Sequence, residues 1–416
     1  MTLICFAVSY CLDVGRPRRG ATMPYCASRN NVKGTNGAEA GIDRTFWGQS
    51  AFAVAVFYNA RVKTWDVIVV GGGIIGLTLS IALRKRGVRV LVVERGEPGR
   101  EASYAAAGML ADCPVETPAA LRELATASAR MYPEFVHELQ DESGMNVDLR
   151  DDGTLLFASP EHVSEHPGFA EKNPLPATLA ELEPALAGMK VPGVAVYLKE
   201  RSVDPRALVM AALKAAKHRG VDVSSGTTVT DVLLSDGRIA GIRTDRTHYS
   251  APSVVNCAGA WAGNFSTHRF PTRPVKGQML AVACASHNVL HYVIRTPEVY
   301  VVPRSDGRIL IGSTLEEAGY DKRTDADTIH RLHQAAMHMA PVLAQARILE
   351  AWAGLRPGTP DDLPILGVAS TPGYFAATGH FRDGILLTPV TAHVMAQVIT
   401  GVQPDYDISA FSPARF

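Results

Sequence analysis

From residue 65 onward, apolar and polar positions fall into short buried runs alternating with amphipathic segments. Val67-Ile68-Val69-Val70 is a β-branched run after Asp66, the pattern of a strand buried on both faces. Gly71-Gly72-Gly73-Ile74-Ile75-Gly76 follows at once, residues 77–86 carry helical character, and Gly87 suits the position after a helix end. Residues 88–93 predict a second buried strand, with Glu94 at its end. Further on, 120–140 reads as helix, and 154–158 and 193–198 as short strands. Asp204-Pro205-Arg206 opens a helix to about residue 218, with proline at its start and Gly220 beyond its end. Strands are predicted at 221–223, 227–234, 238–244 and 253–258. The last runs into the small-residue turn Cys257-Ala258-Gly259-Ala260-Trp261. Residues 275–314 alternate like antiparallel strands, and a helix over 325–340 stops at Pro341.

The first of these units carries chemistry. Gly71, Gly73 and Gly76 have the G-x-G-x-x-G spacing. The first glycine permits a tight turn, the second admits a pyrophosphate against the backbone, and the third lets helix and strand pack closely. The helix N-terminus offers free N–H groups and the positive dipole end to phosphate charge. Glu94, 18 residues after Gly76, is placed to accept hydrogen bonds from a ribose diol and would repel a 2′-phosphate, which argues against NADP. Strand, glycines, helix, strand and acid in this order predict dinucleotide binding. The small-residue run 100–110, which contains Ala102, Ser103, Ala107, Gly108 and Met109, has two readings. It is either an Ala-rich helix chosen for propensity or a backbone laid against an extended cofactor.

Composition narrows the class. With 47% hydrophobic and 20% charged residues over 416 positions, the chain is an ordinary globular protein, long enough for two interleaved domains. Forty-one acidic and 41 basic side chains cancel, which gives no reason to expect nucleic acid as a partner. No apolar run approaches the ~20 residues that span a bilayer, so no membrane association is expected. The cysteines, Cys5, Cys11, Cys26, Cys113, Cys257 and Cys284, form no C-x-x-C pair and read as reduced thiols in the cytoplasm, with no metal site expected. Residues 1–63 differ from the rest: half of the cysteines and the basic stretch Arg16-Pro17-Arg18-Arg19 fall there. They read as a poorly ordered extension rather than a signal peptide, because no basic residue precedes the apolar segment 3–14 and polar residues interrupt it. Residues 51–58 are apolar enough to add a strand.

Six segments, 69–76, 105–110, 275–280, 300–304, 352–359 and 379–387, resemble the D-amino-acid oxidase-like flavoproteins in the family's order. Within that family they are most similar to the glycine oxidases of thiamine biosynthesis. Gly354-Leu355-Arg356-Pro357-Gly358-Thr359 and Gly379-His380-Phe381-Arg382-Asp383-Gly384-Ile385 carry most of the specificity. The resemblance, which covers about 64–405, implies noncovalent FAD. It places Ile74, Ile75, Glu94, Arg95, Ala107, Gly108 and Met109 near the adenosine and diphosphate, and Val229 near the adenine. Around the isoalloxazine and ribityl chain it places His380, Phe381, Arg382, Asp383, Gly384, Ile385 and Leu386. The expected fold is α/β: a Rossmann-like FAD-binding domain (64–150, 204–270, 351–405) interleaved with an antiparallel-sheet, α+β substrate domain (151–203, 271–350), with 406–416 as a tail.

The resemblance also implies a substrate site. Arg356 matches a carboxylate-binding arginine, a role that suits its planar fork of donors. Tyr300 matches a pocket tyrosine, and Arg382 a further arginine near the flavin and the substrate entrance. Two positions depart from the pattern: Glu298 stands in place of a histidine, and Leu315, expected in a strand lining the substrate pocket, in place of a methionine. Glu298 either sets a negative charge near the substrate ammonium or faces solvent. The implied reaction is oxidative deamination of glycine, sarcosine or a small D-amino acid by a homo-oligomeric enzyme with molecular oxygen as acceptor. Its rivals are a dehydrogenase that reduces a quinone, and a flavin-binding redox sensor without catalysis.

Overall fold

The computed structural model describes residues 64–416 except 190–192, 266–268 and 287. The expected N-terminal extension, with its apolar segment 51–58, lies outside the described residues. Among the described residues the chain builds two large sheets and two small ones. The first large sheet has six strands in the order Ile365–Val368, Tyr374–Thr378, Ser253–Asn256, Val67–Val70, Val90–Val93, Asp222–Ser224. All of its pairings are parallel except that of Ile365–Val368 with Tyr374–Thr378.

The β-branched runs form the middle of this sheet because both of its faces are covered. Successive side chains in a strand point to opposite faces. Val67, Val69, Val90 and Val92 accordingly pack against the helices Ile74–Lys85, Arg122–Ser143, Pro205–His218 and Thr388–Ile399. Ile68, Val70, Leu91 and Val93 pack on the other side against Val232, Ile239 and Ile242 of a three-stranded antiparallel sheet, Val229–Ser235, Arg238–Thr244 and His248–Ser250. The helix Pro205–His218 begins where its sequence predicts, with the Asp204 carboxylate accepting from the Arg206 and Ala207 N–H groups.

The second large sheet has seven strands in the order Arg347–Gly358, Arg273–Ala283, Arg308–Gly312, Tyr300–Pro303, Val293–Arg295, Thr154–Ala158, Val194–Leu198. Its pairings are antiparallel apart from Val293–Arg295 on Thr154–Ala158. One face, with Leu280, Val282, Val301 and Ile311, packs against Ile329, Leu332 and Ala336 of the helix Ala326–Met339. The opposite face carries Met279, Val302 and Leu310 and meets Ala107. Met109–Leu110 joins Arg201–Val203 and Leu149–Arg150 in the second small sheet.

One expected boundary shifts. The sequence divides residues 347–358 at 351, whereas Arg347–Gly358 is one strand paired along its whole length with Arg273–Ala283. Cutting it at 351 would separate eight of the eleven pairs of that ladder, so the strand belongs to the seven-stranded sheet.

Three glycines fix how closely backbone meets backbone. A Cβ at Gly76 would stand 2.1 Å from the Gly71 carbonyl oxygen, and one at Gly71 2.4 Å from the Cys257 oxygen. A Cβ at Gly108 would stand 2.0 Å from the Val203 oxygen. Gly76→Ala is therefore expected to destabilise the fold by about 2–3 kcal/mol, because the obstructing atom is backbone and cannot rotate away. Urea unfolding of the variant against the parent measures this, and an unchanged midpoint would contradict the packing described.

Candidate active site

A cleft of about 390 Å³ runs from the glycine turn to the inner face of the seven-stranded sheet. At one end lie Gly71, Gly73, Ile74 and Ile75, with Glu94 and Arg95 from the end of the second strand. The Glu94 carboxylate accepts from Gly72 N at 2.8 Å and from Gly96 N at 2.9 Å, so it is held beside the turn. The helix Ile74–Lys85 has no acidic residue in its first turn, and its N-cap Gly73 supplies no side-chain acceptor. Ser103 reaches across instead, its Oγ accepting from Ile74 N at 3.0 Å. A helix end with this little compensation suits an anionic group.

Of the two readings of 100–110, the helix holds in part: Ala102–Ala105 forms a single helical turn, and Ala106, Ala107 and Gly108 then line the cleft outside it. Trp352 Nε1 donates to the Ala105 carbonyl at 3.1 Å, and the Arg206 guanidinium lies 4.1 Å from the Tyr104 ring and 4.6 Å from the Trp352 ring. These contacts tie the run to the strand Arg347–Gly358. Val229, with Thr227 and Thr228 before it, lines the same end of the cleft. Arg95 stacks 3.5 Å over Trp261, whose ring in turn stacks on Tyr320.

At the other end stand Tyr300, Arg356 and Arg382 with Gly277, Met279 and Ser313. Arg356 points from the strand Arg347–Gly358 over Gly277, where a Cβ would come within 2.3 Å of its Nη1. Its Nη1 donates to the Thr314 carbonyl at 3.1 Å and its Nη2 to Ser313 Oγ at 2.6 Å. Burial presses the guanidinium pKa below its ordinary value; Tyr300 opposes that shift, and Arg382 adds to it. Among the described residues no carboxylate pairs with Arg356. A half-buried arginine beside a second arginine, with no counter-ion among the described residues, suits an anion.

The segment from His380 closes the cleft over the helix Thr388–Ile399. His380, Phe381, Arg382, Gly384 and Ile385 line it, and Phe381 takes a positive φ of 43° with its N–H on the Pro357 carbonyl. Tyr132 donates to the Ile385 carbonyl, and Ser128 to that of Leu386 at 2.6 Å, so the long helix Arg122–Ser143 anchors this loop.

Four expected site residues do not line the cleft. Gly76 is spent on helix packing. Leu386, 1% exposed, belongs to the helical core, and Asp383 lies behind Arg382, where burial raises its pKa to about 6. Leu315 corrects a sequence expectation: it follows the end of the strand Arg308–Gly312 and is 62% exposed, so it cannot line a substrate pocket from there. Glu298 is likewise exposed, in the turn before Tyr300, as its solvent-facing reading has it.

Sequence reasoning passed over residues that the fold brings in. Arg304 is buried, donates from Nη2 to the Ala107 carbonyl, and has its pKa lowered by burial to about 10. It thereby holds the small-residue run in place from the substrate side. An arginine directly after a buried strand gave no local sign of this, although Gly277 inside a strand pattern was a signal of close approach. Ser313 lines the cleft from a turn that only the tertiary structure brings there, whereas Cys257 and Trp261 line it from the small-residue turn the sequence had already singled out.

Comparison with known proteins agrees with this geometry. Residues 66–398 match the model of a family described as FAD dependent oxidoreductase. The chain is 35% identical over 368 residues to the bifunctional protein ThiO/ThiG of Trichormus variabilis, matching 85% of this chain and 55% of that one. It therefore spans about half the length of that relative. It is 34% identical to the hydrogen cyanide synthase subunit HcnC of Pseudomonas aeruginosa, over 85% of this chain and 97% of the other. The crystal structure of glycine oxidase from Geobacillus kaustophilus superposes with a TM-score of 0.80 at 30% identity, covering 85% of this chain and 99% of that one.

Burial lowers the His380 pKa to about 3, and its Nε2 lies 3.1 Å from Thr391 Oγ1. The unfolded chain takes up this proton near pH 6.5, which the folded state refuses until about pH 3. This contribution to stability is full above about pH 6.5 and falls by about 1.4 kcal/mol per unit below it. Asp383, raised to about 6, works in the opposite sense between its unfolded value and that pH. Only the His380 part should vanish in His380→Gln, so the stability gap between parent and variant should shrink as pH falls from about 6.5. A gap that urea unfolding finds constant down to pH 4 would contradict a buried neutral imidazole.

Proposed function

The chain belongs to the FAD-dependent oxidoreductase family, and from that premise we propose that it oxidises glycine or another small amino acid, such as sarcosine or a small D-amino acid, with molecular oxygen as electron acceptor. The observation that carries this reading is Arg356, a half-buried cation with no carboxylate partner among the described residues, set beside Tyr300 at the end of the cleft away from the glycine turn. The residues fit a noncovalent FAD. The open helix end at Ile74 with Gly71 and Gly73 would hold the diphosphate, and Glu94 would hold the ribose. Arg95 and Val229 would lie at the adenosine, Ala102, Ser103, Ala107, Gly108 and Met109 along its length, and His380, Phe381, Arg382, Gly384 and Ile385 around the ring system. Asp383 and Leu386 would support that loop from behind. FAD bound there would supply the two-electron oxidant for the substrate Cα–H bond.

The protein's part is orientation. Arg356 would clamp the substrate carboxylate, and Tyr300 would donate to the same group, fixing where Cα lies. Arg382 would add positive charge at the entrance. His380, neutral by burial, keeps cationic charge away from the amine, which reacts uncharged and needs no protein base. The imine hydrolyses to a 2-oxo acid and ammonia, with peroxide from oxygen. In the cytoplasm imine that escapes hydrolysis would instead feed thiazole formation for thiamine, a reading supported by the ThiO/ThiG relative. A second reading, delivery of electrons to an acceptor other than oxygen, draws on a relative of nearly equal identity named for a different product, hydrogen cyanide.

Two measurements test the proposal. Arg356→Ala should keep its FAD and raise KM for glycine by about a hundredfold or more, because a charge-assisted bidentate pair is lost; unchanged kinetics would refute the carboxylate clamp. Peroxide should form mole for mole with glycine consumed in air. Fast reduction of an artificial dye with negligible oxygen uptake would favour the other acceptor.

A further inference from the structure

Arg356 can clamp a carboxylate only if its fork is aimed, and its own strand does not aim it. The side chain crosses Gly277, which offers no Cβ to pack against, and reaches the segment after the strand Arg308–Gly312. Two of the five guanidinium N–H donors end there, one on Ser313 Oγ at 2.6 Å and one on the Thr314 carbonyl at 3.1 Å. Partial burial makes this guanidinium costly to leave unsatisfied, so these two acceptors, together with Tyr300 beside it, hold its rotamer.

The segment is itself held from behind. Lys276 N donates to the Glu316 carbonyl and Glu316 N to that of Lys276, both at 2.9 Å, while Gln278 N donates to Thr314 Oγ1 at 2.9 Å. The Glu316 carboxylate accepts from the Thr314 hydroxyl and from Gln278 Nε2 at 2.8 Å, and Lys276 Nζ stands 3.6 Å from it. Residues 314–316 are thus fastened to the strand Arg273–Ala283 on the face away from the cleft, while Ser313 lines the cleft.

We propose that Ser313 is a positioning residue for the reaction: its hydroxyl, on a segment clamped by Glu316, Lys276 and Gln278, aims the Arg356 fork at the substrate carboxylate. This inference rests on the reading of Arg356 as the carboxylate anchor. Ser313 acts through Arg356 and leaves the oxidised Cα alone, so its loss falls on binding of the carboxylate.

The test compares Ser313→Ala, Ser313→Thr and Arg356→Ala in the FAD-loaded enzyme, reading kcat and KM for glycine. Affinity for acetate, a carboxylate without an amine, is read from the visible spectrum of the bound flavin. Ser313→Ala should raise KM for glycine and Kd for acetate together by about tenfold, the scale of one hydrogen bond to a charged group. FAD content should be unchanged and kcat within about threefold, a split that general damage to the fold would not produce. Ser313→Thr, which keeps the hydroxyl, should restore both constants. The proposal is overturned if Ser313→Ala leaves both constants unchanged while Arg356→Ala loses acetate binding. It is equally overturned if threonine fails to rescue or if kcat and FAD content fall instead. If Arg356→Ala itself leaves acetate binding and KM untouched, the reading of the anchor fails first, and the positioning role with it.

Discussion

The candidate site depends on backbone meeting backbone where no side chain fits. Gly71 lies against the Cys257 carbonyl, Gly76 against that of Gly71, and Gly108 against that of Val203, each too close for a Cβ. These approaches draw the first strand, its helix and the turn after Ser253–Asn256 together, so that the N-terminus of Ile74–Lys85 opens onto the cleft. They also let Ala106, Ala107 and Gly108 pass along the cleft floor without blocking it. Glu94 and Ser103 can then reach the glycine turn and its helix end.

The second sheet meets this frame with positive charge. Arg304, Arg356 and Arg206 all approach the small-residue run or the cleft from strands or helices that flank it. Each has different partners: Arg304 the Ala107 carbonyl, Arg206 Glu350 and two aromatic rings, Arg356 Ser313 and Thr314. Of these three, only Arg356 combines partial burial with a place in the cleft and no acid opposite among the described residues. Such a cation gains most from a ligand carboxylate, since desolvation has already been imposed by folding. Charge and shape therefore divide the cleft into an end suited to phosphate and ribose and an end suited to a small carboxylate.

How much of this was legible in the sequence follows from how local each feature is. The glycine turn, its flanking strands and Glu94 form one contiguous unit, and their spacing alone led to the dinucleotide end. Helix starts such as Asp204-Pro205 were equally local. Arg356 and Tyr300 were singled out only through family resemblance, and the fold brings both to one end of the cleft. Leu315 was misread as lining the pocket, since the strand ends at Gly312 and the chain turns outward. Ser313 and Arg304 were passed over for a related reason: their partners lie 43 and 197 residues away, across a sheet order that the sequence does not state. The continuity of Arg347–Gly358 was missed because its exposed first half, Arg347-Ile348-Leu349, lacks the regular alternation of a half-buried strand.

An anaerobic visible spectrum of the purified protein before and after addition of glycine tests the central claim most directly. The predicted result is a yellow protein that bleaches with glycine and regains its colour, with peroxide, when air is admitted. A yellow protein that keeps its colour with glycine, sarcosine and D-alanine alike would contradict amino-acid oxidation at this site.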